Sequence, residues 1–318
     1  MKRFTLLLTL LALPVLPLTA AAQYPSKPIR GIVAFGTGGA TDVIARIVAA
    51  SMSQSLGQTV IIDNRPGADG IIAGEQLVRA APDGHTVFFG SSTQISALTS
   101  LRRNVPFDPL KDMTPIGGIG VNSFFWAVHP DVPAKTLKDL GAWGRANPGK
   151  VNAGSSSATA TIAPTLFAAA EKFDLQVVPY KSETLALNDL IAGRVQIVLI
   201  TGTLAQHVRD GRIRGLATLL PSRSSALPDL PTMAESGLAP FPAIPWMGLF
   251  GPAKMPAEIV DRLSKELLAT LQRPEVRTRI EQQGMDLNPL TPQAMDTLAR
   301  EQAPVWQRLT KAAGIVPE

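Results

Sequence analysis

The chain of 318 residues contains no cysteine, so neither disulfide bonds nor thiolate metal sites can form. Aromatic residues make up only 5% of it and no long basic run occurs, which argues against a nucleic-acid partner. Histidine occurs three times, and no His, Asp and Glu cluster has the spacing of a metal site. We therefore expect no nucleic-acid partner, no cofactor and no bound metal ion.

Long apolar runs are also lacking, except near the start of the chain. Two basic residues precede an apolar stretch over residues 4–13 that is too short to span a bilayer. Three alanines at positions 20–22 then match a signal-peptidase cleavage pattern. We predict a signal peptide over residues 1–22, cleaved after about Ala22, and export to the periplasm. An uncleaved membrane anchor is the open alternative.

The bulk properties of the mature chain indicate a folded protein of two domains. About 295 residues remain after cleavage, which is enough for two domains by size. The hydrophobic content of 45% allows the chain to be held together by burial alone. The formal charge of +5 becomes about +3 when Lys2 and Arg3 are removed, a mild excess compatible with an anionic ligand.

The most informative segment is a strand, a glycine-rich turn and a helix in direct succession. Residues 29–35 form an apolar run that predicts a buried strand, and helical spacing of apolar residues begins near position 42. This order leaves backbone N–H groups at the positive end of a helix dipole, where anions bind. We predict that the turn binds a carboxylate, although helix capping is the simpler role for the acid at its end. The candidate ligand-binding residues are Phe35, Thr37, Gly38, Gly39, Ala40, Thr41 and Asp42.

Strands and helices alternate along the rest of the chain, which predicts parallel sheets with helices on their faces. A first crossing between two such units is predicted at Asn122 and Ser123, and a proline-rich stretch leads back to a strand at 246–250. A helix is predicted over 163–173. The predicted fold is α/β, with two Rossmann-like lobes. The first lobe covers 23–122 together with 247–318, and the second covers 123–246. A ligand cleft is expected between the lobes.

Two further hydroxyl-rich turns follow predicted strands, at the carboxyl ends where ligands of α/β proteins bind. One covers positions 91–93, and the other covers 155–161 and mirrors the glycine-rich turn. Each turn alone is equally compatible with an ordinary helix N-cap. One anion-type turn in each lobe favours a ligand with carboxylate groups. The candidate residues are Ser91, Ser92, Thr93, Ser155, Ser156, Ser157, Thr159 and Thr161.

Motifs for nucleotide binding and catalysis are incomplete. Residues 144–151 nearly match a phosphate-binding loop, but Val151 replaces the Ser or Thr that reaches magnesium. Residues 36–41 nearly match a dinucleotide fingerprint, but Thr41 replaces its third glycine. Residues 154–158 loosely resemble a nucleophile elbow, yet no histidine is paired with Ser156 by spacing. We therefore expect that the protein is not an enzyme. The alternative is an exported hydrolase with a serine nucleophile near Ser156.

Several segments together resemble the Bug-type receptors of tripartite tricarboxylate transporters. The resemblance covers essentially the whole mature chain, and its motifs are specific only in combination. They are the segment at 24–30, the Phe-Gly-Thr-Gly-Gly-Ala-Thr-Asp turn at 35–42, the Asp-Asn-Arg-Pro-Gly-Ala-Asp-Gly loop at 63–70, and the shorter matches at 81–85, 178–181, 227–232 and 248–252.

The resemblance implies a type II periplasmic solute-binding protein, whose two lobes close on a small carboxylate and deliver it to membrane permease subunits. It also implies that the first-lobe turn holds one carboxylate through backbone N–H groups and ordered waters. The serine and threonine turn of the second lobe would hold the distal group. We expect the receptor to be a monomer.

The chain departs from the family pattern in places that bear on the ligand. Thr37 stands where proline is frequent, and Ser182 stands where glycine is frequent. Ile200, Thr201 and Thr203 occupy a strand end where many relatives carry an acid and an amide. Because an acid there would suit a ligand amine, its absence predicts a di-acid or an aromatic acid rather than an amino acid. Thr201 and Thr203 complete the candidate binding residues.

Overall fold

The computed structural model describes residues 24–317, so the predicted signal peptide over 1–22 lies outside the described residues. Two β-sheets form the frame of the described part. The strands are β1 (Ile29–Val33), β2 (Val60–Asn64), β3 (Thr86–Ser91), β4 (Met113–Asn122), β5 (Phe124–Val128), β6 (Asn152–Ser155), β7 (Gln176–Pro179), β8 (Ile197–Thr201), β9 (Arg214–Thr218), β10 (Trp246–Pro252) and β11 (Met285–Leu290).

Helices connect most of these strands and cover the sheets. Short 3₁₀ turns occur at Ala68–Gly70 and Gly202–Leu204, and a π-helical turn occurs at Thr93–Ala97. The α-helices are α1 (Ala40–Leu56), α2 (Ile71–Val78), α3 (Leu98–Leu101), α4 (Pro109–Asp112), α5 (Leu137–Ala146), α6 (Ala158–Glu171), α7 (Glu183–Ile191), α8 (Gln206–Arg209), α9 (Ala257–Gln272), α10 (Pro274–Gln282) and α11 (Pro292–Ala312).

The first sheet has the strand order β11-β4-β10-β3-β1-β2, and the second has the order β7-β6-β8-β5-β9. In the first sheet β1 is parallel to β2 and β3, whereas β10 is antiparallel to β3 and β4. In the second sheet β6 is parallel to β7 and β8, whereas β5 is antiparallel to β8 and β9. The carboxyl ends of β1, β3, β6 and β8 lead into the turns singled out above.

Both sheets are mixed, so the prediction of parallel sheets was wrong in this respect. Antiparallel pairs need no helical crossover between them, and the alternation of strands and helices does not reveal such pairs. The sequence analysis also missed β11, an edge strand that contains Pro289 and polar residues and pairs only with β4. The predicted helix over 163–173 begins five residues earlier, at Ala158, because the Ser157 hydroxyl caps it by accepting from the Ala160 N–H.

Local sequence explains where several of the helices begin or end. Helix α1 ends at Gly57, which adopts the left-handed conformation that glycine tolerates best. Helix α5 begins with a capping box in which Thr136 and Asp139 bond to each other's backbone N–H groups. Helix α7 begins after Ser182, whose hydroxyl accepts from the Leu185 N–H.

Apolar side chains are buried on both faces of each sheet. Helices α1, α9 and α10 cover one face of the first sheet, while α2 and α11 cover the other. Helices α5 and α6 cover one face of the second sheet, and α7 covers the other. Each unit is therefore a three-layer sandwich with its own core. Over residues 24–317 none of the helices has the length and apolar character that a bilayer crossing requires.

The chain passes from the first unit to the second at Asn122 and Ser123, and it returns just before β10. The two crossings contact each other, because the Asn122 N–H donates to the Pro245 carbonyl at 2.9 Å. The Ser123 N–H donates to the Gly284 carbonyl at 3.1 Å. Two adjacent crossings are the arrangement expected of a hinge between lobes.

Candidate functional site

A cavity lies between the two sheets, at the carboxyl ends of their parallel strands. Its empty space, counting the part that opens to solvent, is about 490 Å³. Eleven of the predicted ligand-binding residues line this cavity. They are Phe35, Gly39, Ala40, Thr41, Ser91, Ser92, Thr93, Ser156, Ser157, Thr159 and Thr201.

The first-lobe side of the cavity is the start of helix α1. Gly39 precedes the helix in an extended conformation, and no side chain caps the first turn. The first N–H groups of a helix have no partner within it, so those of Ala40 and Thr41 can donate to a ligand. The Gly38 N–H differs, because it donates to the Asp42 carboxylate at 2.9 Å.

Three residues of the glycine-rich turn lie outside the cavity. Thr37 and Gly38 are exposed on the surface. Asp42 is buried and bound within the first lobe: its carboxylate accepts from Arg46 Nε at 3.0 Å and from Asn64 Nδ2 at 2.9 Å. Burial alone would raise the pKa of Asp42, but the bonds from Arg46, Gly38 and Asn64 outweigh it and hold the pKa below its ordinary value. Asp42 therefore stabilises the turn.

The end of β3 supplies the second group of hydroxyls. Ser91 is bound locally, since its hydroxyl donates to Gln94 Oε1 at 2.8 Å. Thr93 contacts the other lobe: its hydroxyl accepts from the Ala158 N–H, the first of helix α6, at 3.2 Å. The strand end thus both lines the cavity and links the lobes.

The second-lobe turn at 155–161 is divided between the cavity and its own structure. Ser156, Ser157 and Thr159 line the cavity. Ser155 and Thr161 do not, because their hydroxyls bond to each other at 2.6 Å and both bond to the Ser157 carbonyl. They line a neighbouring cavity that shares Ser156 and Ser157 with the first.

A buried acid that the sequence analysis missed lies at the end of β8. Glu183, the first residue of α7, lines the cavity, and its carboxylate accepts from the N–H and the hydroxyl of Thr201. Burial raises the pKa of Glu183 to about 7, against the lowering effect of the two Thr201 bonds. The strand end itself carries no acid, as the sequence analysis states, but helix α7 supplies one beside it. Thr203 lies outside the cavity and donates to the Gln283 carbonyl at 3.3 Å.

Four more lining residues were missed: Asn122, Phe124, Pro245 and Trp246. All four lie at or beside the two crossings between the lobes. The predicted crossing at Asn122 was the one signal that could have found them, since a crossing borders the cleft by necessity. The indole N–H of Trp246 is buried and has no hydrogen-bond partner among the described residues.

Several cavity hydroxyls have no protein partner within residues 24–317. The side chains of Thr41, Ser92, Ser156 and Thr159 form no hydrogen bond there, so they remain available to a ligand or to water. Glu183 is the one ionisable side chain among the lining residues, and Lys, Arg and His are absent from that lining set. The cavity therefore offers neutral donors on the first-lobe side and a carboxyl on the second-lobe side.

Ser156 has no histidine beside it. His85 packs against Tyr24, His129 lies near Asp131, and His207 bonds to Arg212, so none of them lines the cavity. Within the described residues there is also no cluster of three His, Asp or Glu side chains that could hold a metal ion. Within the described residues, therefore, no histidine is placed to act as a base for Ser156.

Direct contacts across the cleft hold the two lobes close together. The Gly36 N–H donates to the Lys181 carbonyl at 2.9 Å, next to the start of α7. Gly202 and Gly284 face each other so closely that a Cβ on Gly202 would lie 2.3 Å from the Cα of Gly284. Glycine is needed at that contact because any side chain would push the lobes apart.

The family comparison agrees with this two-lobed architecture. The family model described as "Tripartite tricarboxylate transporter family receptor" matches residues 44–315. The chain belongs to this receptor family. Protein BugT of Bordetella pertussis (strain Tohama I) is 32% identical over 301 residues, which cover 93% of this chain and 92% of BugT.

Two solved structures of similar proteins can be compared with the structure of this receptor. The periplasmic binding protein BugD has a TM-score of 0.87 at 32% identity and covers 93% of this chain and 100% of its own. Rpa4515 of R. palustris, solved with adipate, has a TM-score of 0.89 at 29% identity and the same coverage. The predicted fold class, two α/β lobes in the type II periplasmic-binding-protein arrangement, and the predicted Bug-type family are thereby confirmed.

Proposed function

We propose that this protein is an exported receptor that captures a small carboxylate between its lobes and delivers it to the permease subunits of a tripartite tricarboxylate-type transporter. The cavity carries the proposal: its first-lobe side presents helix N–H groups and hydroxyls that lack a protein partner. In this proposal the signal peptide is cleaved after about Ala22 and the mature receptor is a periplasmic monomer. The first lobe covers 23–122 together with 247–318, and the second lobe covers 123–246.

We also propose that the ligand is a di-acid or an aromatic acid rather than an amino acid. Adipate, which the similar Rpa4515 holds, has a carboxylate at each end. One carboxylate would accept from the N–H groups of Ala40 and Thr41 at the start of α1, as anions do at helix N-termini. The distal group would reach the side of the cavity formed by Ser156, Thr159 and Thr201.

Neutral donors are sufficient for useful affinity. A hydrogen bond to a charged group contributes about 1.5 to 3 kcal/mol. Three or four such bonds from each lobe support micromolar binding after the losses of translational and side-chain freedom on association. No lysine or arginine in the cavity lining is needed to reach this range.

A thermal-shift screen of the mature protein tests the proposal, because a ligand that binds only the folded state raises its melting temperature. We expect straight-chain di-acids such as adipate, or benzoate, to raise it, and aspartate to have a smaller effect. No response to any carboxylate would contradict the receptor function. Tight aspartate binding without a response to di-acids would contradict the ligand class alone. Ester hydrolysis that is lost in Ser156→Ala would instead support the hydrolase.

A further inference from the structure

The carboxyl of Glu183 belongs to the second-lobe lining of the cavity. It begins helix α7 and accepts from both the N–H and the hydroxyl of Thr201, the latter at 2.9 Å. The same cavity is lined by Ala40 and Thr41 at the start of α1. The residue is only 8% exposed, so bulk water cannot solvate its charge.

Among the residues that the structure describes, no cation compensates the charge of Glu183. The packed elements carry Asp42 on α1, Lys181 just before α7 and Asp189 on α7 itself. Asp42 is bound to Arg46, Asp189 to Arg194, and Lys181 is exposed. Burial and the two Thr201 bonds account for the shifted pKa of Glu183, which is about 7, and no neighbouring charge contributes to it.

A di-acid would bring a second negative charge into this uncompensated site. Two carboxylates in contact, without a cation, cannot both stay ionised in a buried cavity, and one of them takes up a proton. Glu183 is the group already closest to protonation at neutral pH. The lone pairs of Glu183 that point toward Thr201 already accept hydrogen bonds. A proton on one of the carboxyl oxygens gives Glu183 an O–H group that can donate to the ligand.

Building on the receptor function proposed above, we propose that Glu183 takes up one proton from solvent when a di-acid binds and donates it in a hydrogen bond to the distal ligand carboxylate. No covalent bond to carbon, oxygen or nitrogen of the ligand changes in this step. The ligand enters as a dianion, the proton comes from the buffer, and the closed complex carries one negative charge less than its separated parts. Di-acid capture is thus coupled to proton uptake.

The coupling fixes the direction of the pH dependence. Well below the pKa of Glu183, which is about 7, the free receptor already holds the proton, so the affinity for a di-acid is constant there. Above pH 7 the proton must be taken from solvent, so the dissociation constant rises about tenfold per pH unit. A monocarboxylate of the same length presents no second charge to Glu183 and has a weaker pH dependence.

Isothermal titration calorimetry on the full mature protein tests the coupling with adipate as the probe and hexanoate as its monocarboxylate match. At pH 8 we expect the binding of adipate to be accompanied by the uptake of close to one proton by the protein. This uptake is measured from the change in binding heat between two buffers of different ionisation enthalpy. Succinate, glutarate and pimelate extend the series in case the cavity selects another length. This measurement needs no variant, so it stands even if a substitution impairs folding.

Glu183→Gln is the informative variant, because its amide N–H donates without a proton from solvent. We expect it to bind adipate with the same affinity from pH 6 to 9 and, at pH 8.5, about tenfold or more tightly than the wild type. Glu301→Gln, the same change at an exposed position on α11, serves as the control and should keep the wild-type profile.

Several results would overturn the inference while leaving the receptor function intact. They are di-acid binding without proton uptake, affinity that rises with pH, and tight binding only of ligands with an ammonium group that is lost in Glu183→Gln. The last result would assign Glu183 as an ionised partner of a cation. If no carboxylate of any kind binds at any pH, the proposed function itself fails.

Discussion

Two buried acids, Asp42 and Glu183, lie at the starts of two helices that face each other across the cleft, and they differ in their partners. Asp42 accepts from Gly38, Asn64 and Arg46, and its pKa lies below the ordinary value. Within residues 24–317 Glu183 accepts only from Thr201, and burial raises its pKa to about 7. At Asp42 the bonds from Arg46, Gly38 and Asn64 outweigh the effect of burial on the pKa, whereas at Glu183 burial outweighs the two Thr201 bonds.

The difference separates a structural acid from one that is available to a ligand. Each oxygen of the Asp42 carboxylate is bound within the first lobe, and that network fixes the glycine-rich turn. Glu183 borders the cavity and retains acceptor capacity there. A perturbed pKa in a cleft is a common mark of a functional group, whereas a satisfied ion pair is usually architectural.

Removing the structural acid should have the largest effect. We expect Asp42→Ala to lower the free energy of unfolding by about 3 to 4 kcal/mol, because the Gly38 N–H and the Arg46 and Asn64 side chains lose a shared acceptor. Urea unfolding of the mature protein measures this. Asp131→Ala, at a side chain that is 92% exposed, is the control and should stay within about 0.5 kcal/mol. An equal loss in both variants would contradict the structural role.

The second prediction compares the pH dependence of stability with and without Glu183. The pKa of Glu183 in the folded protein is about 7 against an ordinary 4.5, so between these values the folded state retains a proton that the unfolded state has released. Stability therefore falls as pH rises through this window, by about 3 kcal/mol in total. Asp42 has the opposite slope: its contribution is lost only as pH falls below the ordinary aspartate range.

Urea unfolding at pH 5, 6, 7 and 8 measures this slope. The wild type should lose stability across the series relative to Glu183→Gln, which cannot ionise at that position. Glu301→Gln should follow the wild type. Parallel profiles for the wild type and Glu183→Gln would mean that the carboxyl of Glu183 is ionised in the folded protein at pH 5 already.

The sequence revealed the two turns and a possible structural role for Asp42, but not the place of Glu183 in the cavity. A strand, a glycine turn and a helix are local patterns, so the anion-type turn at the start of α1 could be predicted from residues that are neighbours in the chain. The sequence analysis did not single out Glu183, whose contact with Thr201 joins positions 18 residues apart. Burial and partners of that kind depend on how β8 packs against α7, which no local pattern specifies.

The same limit explains the rest of the site. The hydroxyl turn at 155–161 was found because Ser and Thr are conspicuous, yet the sequence could not tell which hydroxyls face the cavity and which bond to each other. Ser155 and Thr161 bond to each other, and Ser156 and Thr159 remain available. The antiparallel strands and β11 were missed because strand direction is set by tertiary pairing rather than by composition.

The third prediction compares cavity hydroxyls with an exposed one of the same type. Thr41→Val and Ser92→Ala should each weaken the binding of adipate by about 1 to 2 kcal/mol, or about 5- to 30-fold, if each hydroxyl contacts the ligand. Thr37→Val changes an exposed hydroxyl outside the cavity and should leave the affinity unchanged. Calorimetric titration distinguishes the three. An effect of Thr37→Val as large as the others would place the ligand elsewhere on the turn.

The smallest effect concerns the hydroxyl that Glu183 shares with Thr201. Thr201→Val keeps the shape of the side chain and the backbone N–H bond, but it removes the hydroxyl at 2.9 Å. If that hydroxyl donates to an ionised Glu183, its loss raises the pKa of Glu183 further, by up to about one unit or roughly 1 kcal/mol. The pH profiles of stability and of adipate affinity should then both move upward by the same amount.

The direction of that movement identifies the donor of the bond, which is why so small a change is informative. A downward shift would mean that protonated Glu183 donates to the hydroxyl, because removing an acceptor destabilises the neutral acid. In that case the proton of Glu183 is already engaged within the second lobe and is not free for a ligand. An upward shift leaves the proton available to the cavity, as proton-coupled capture of a di-acid requires.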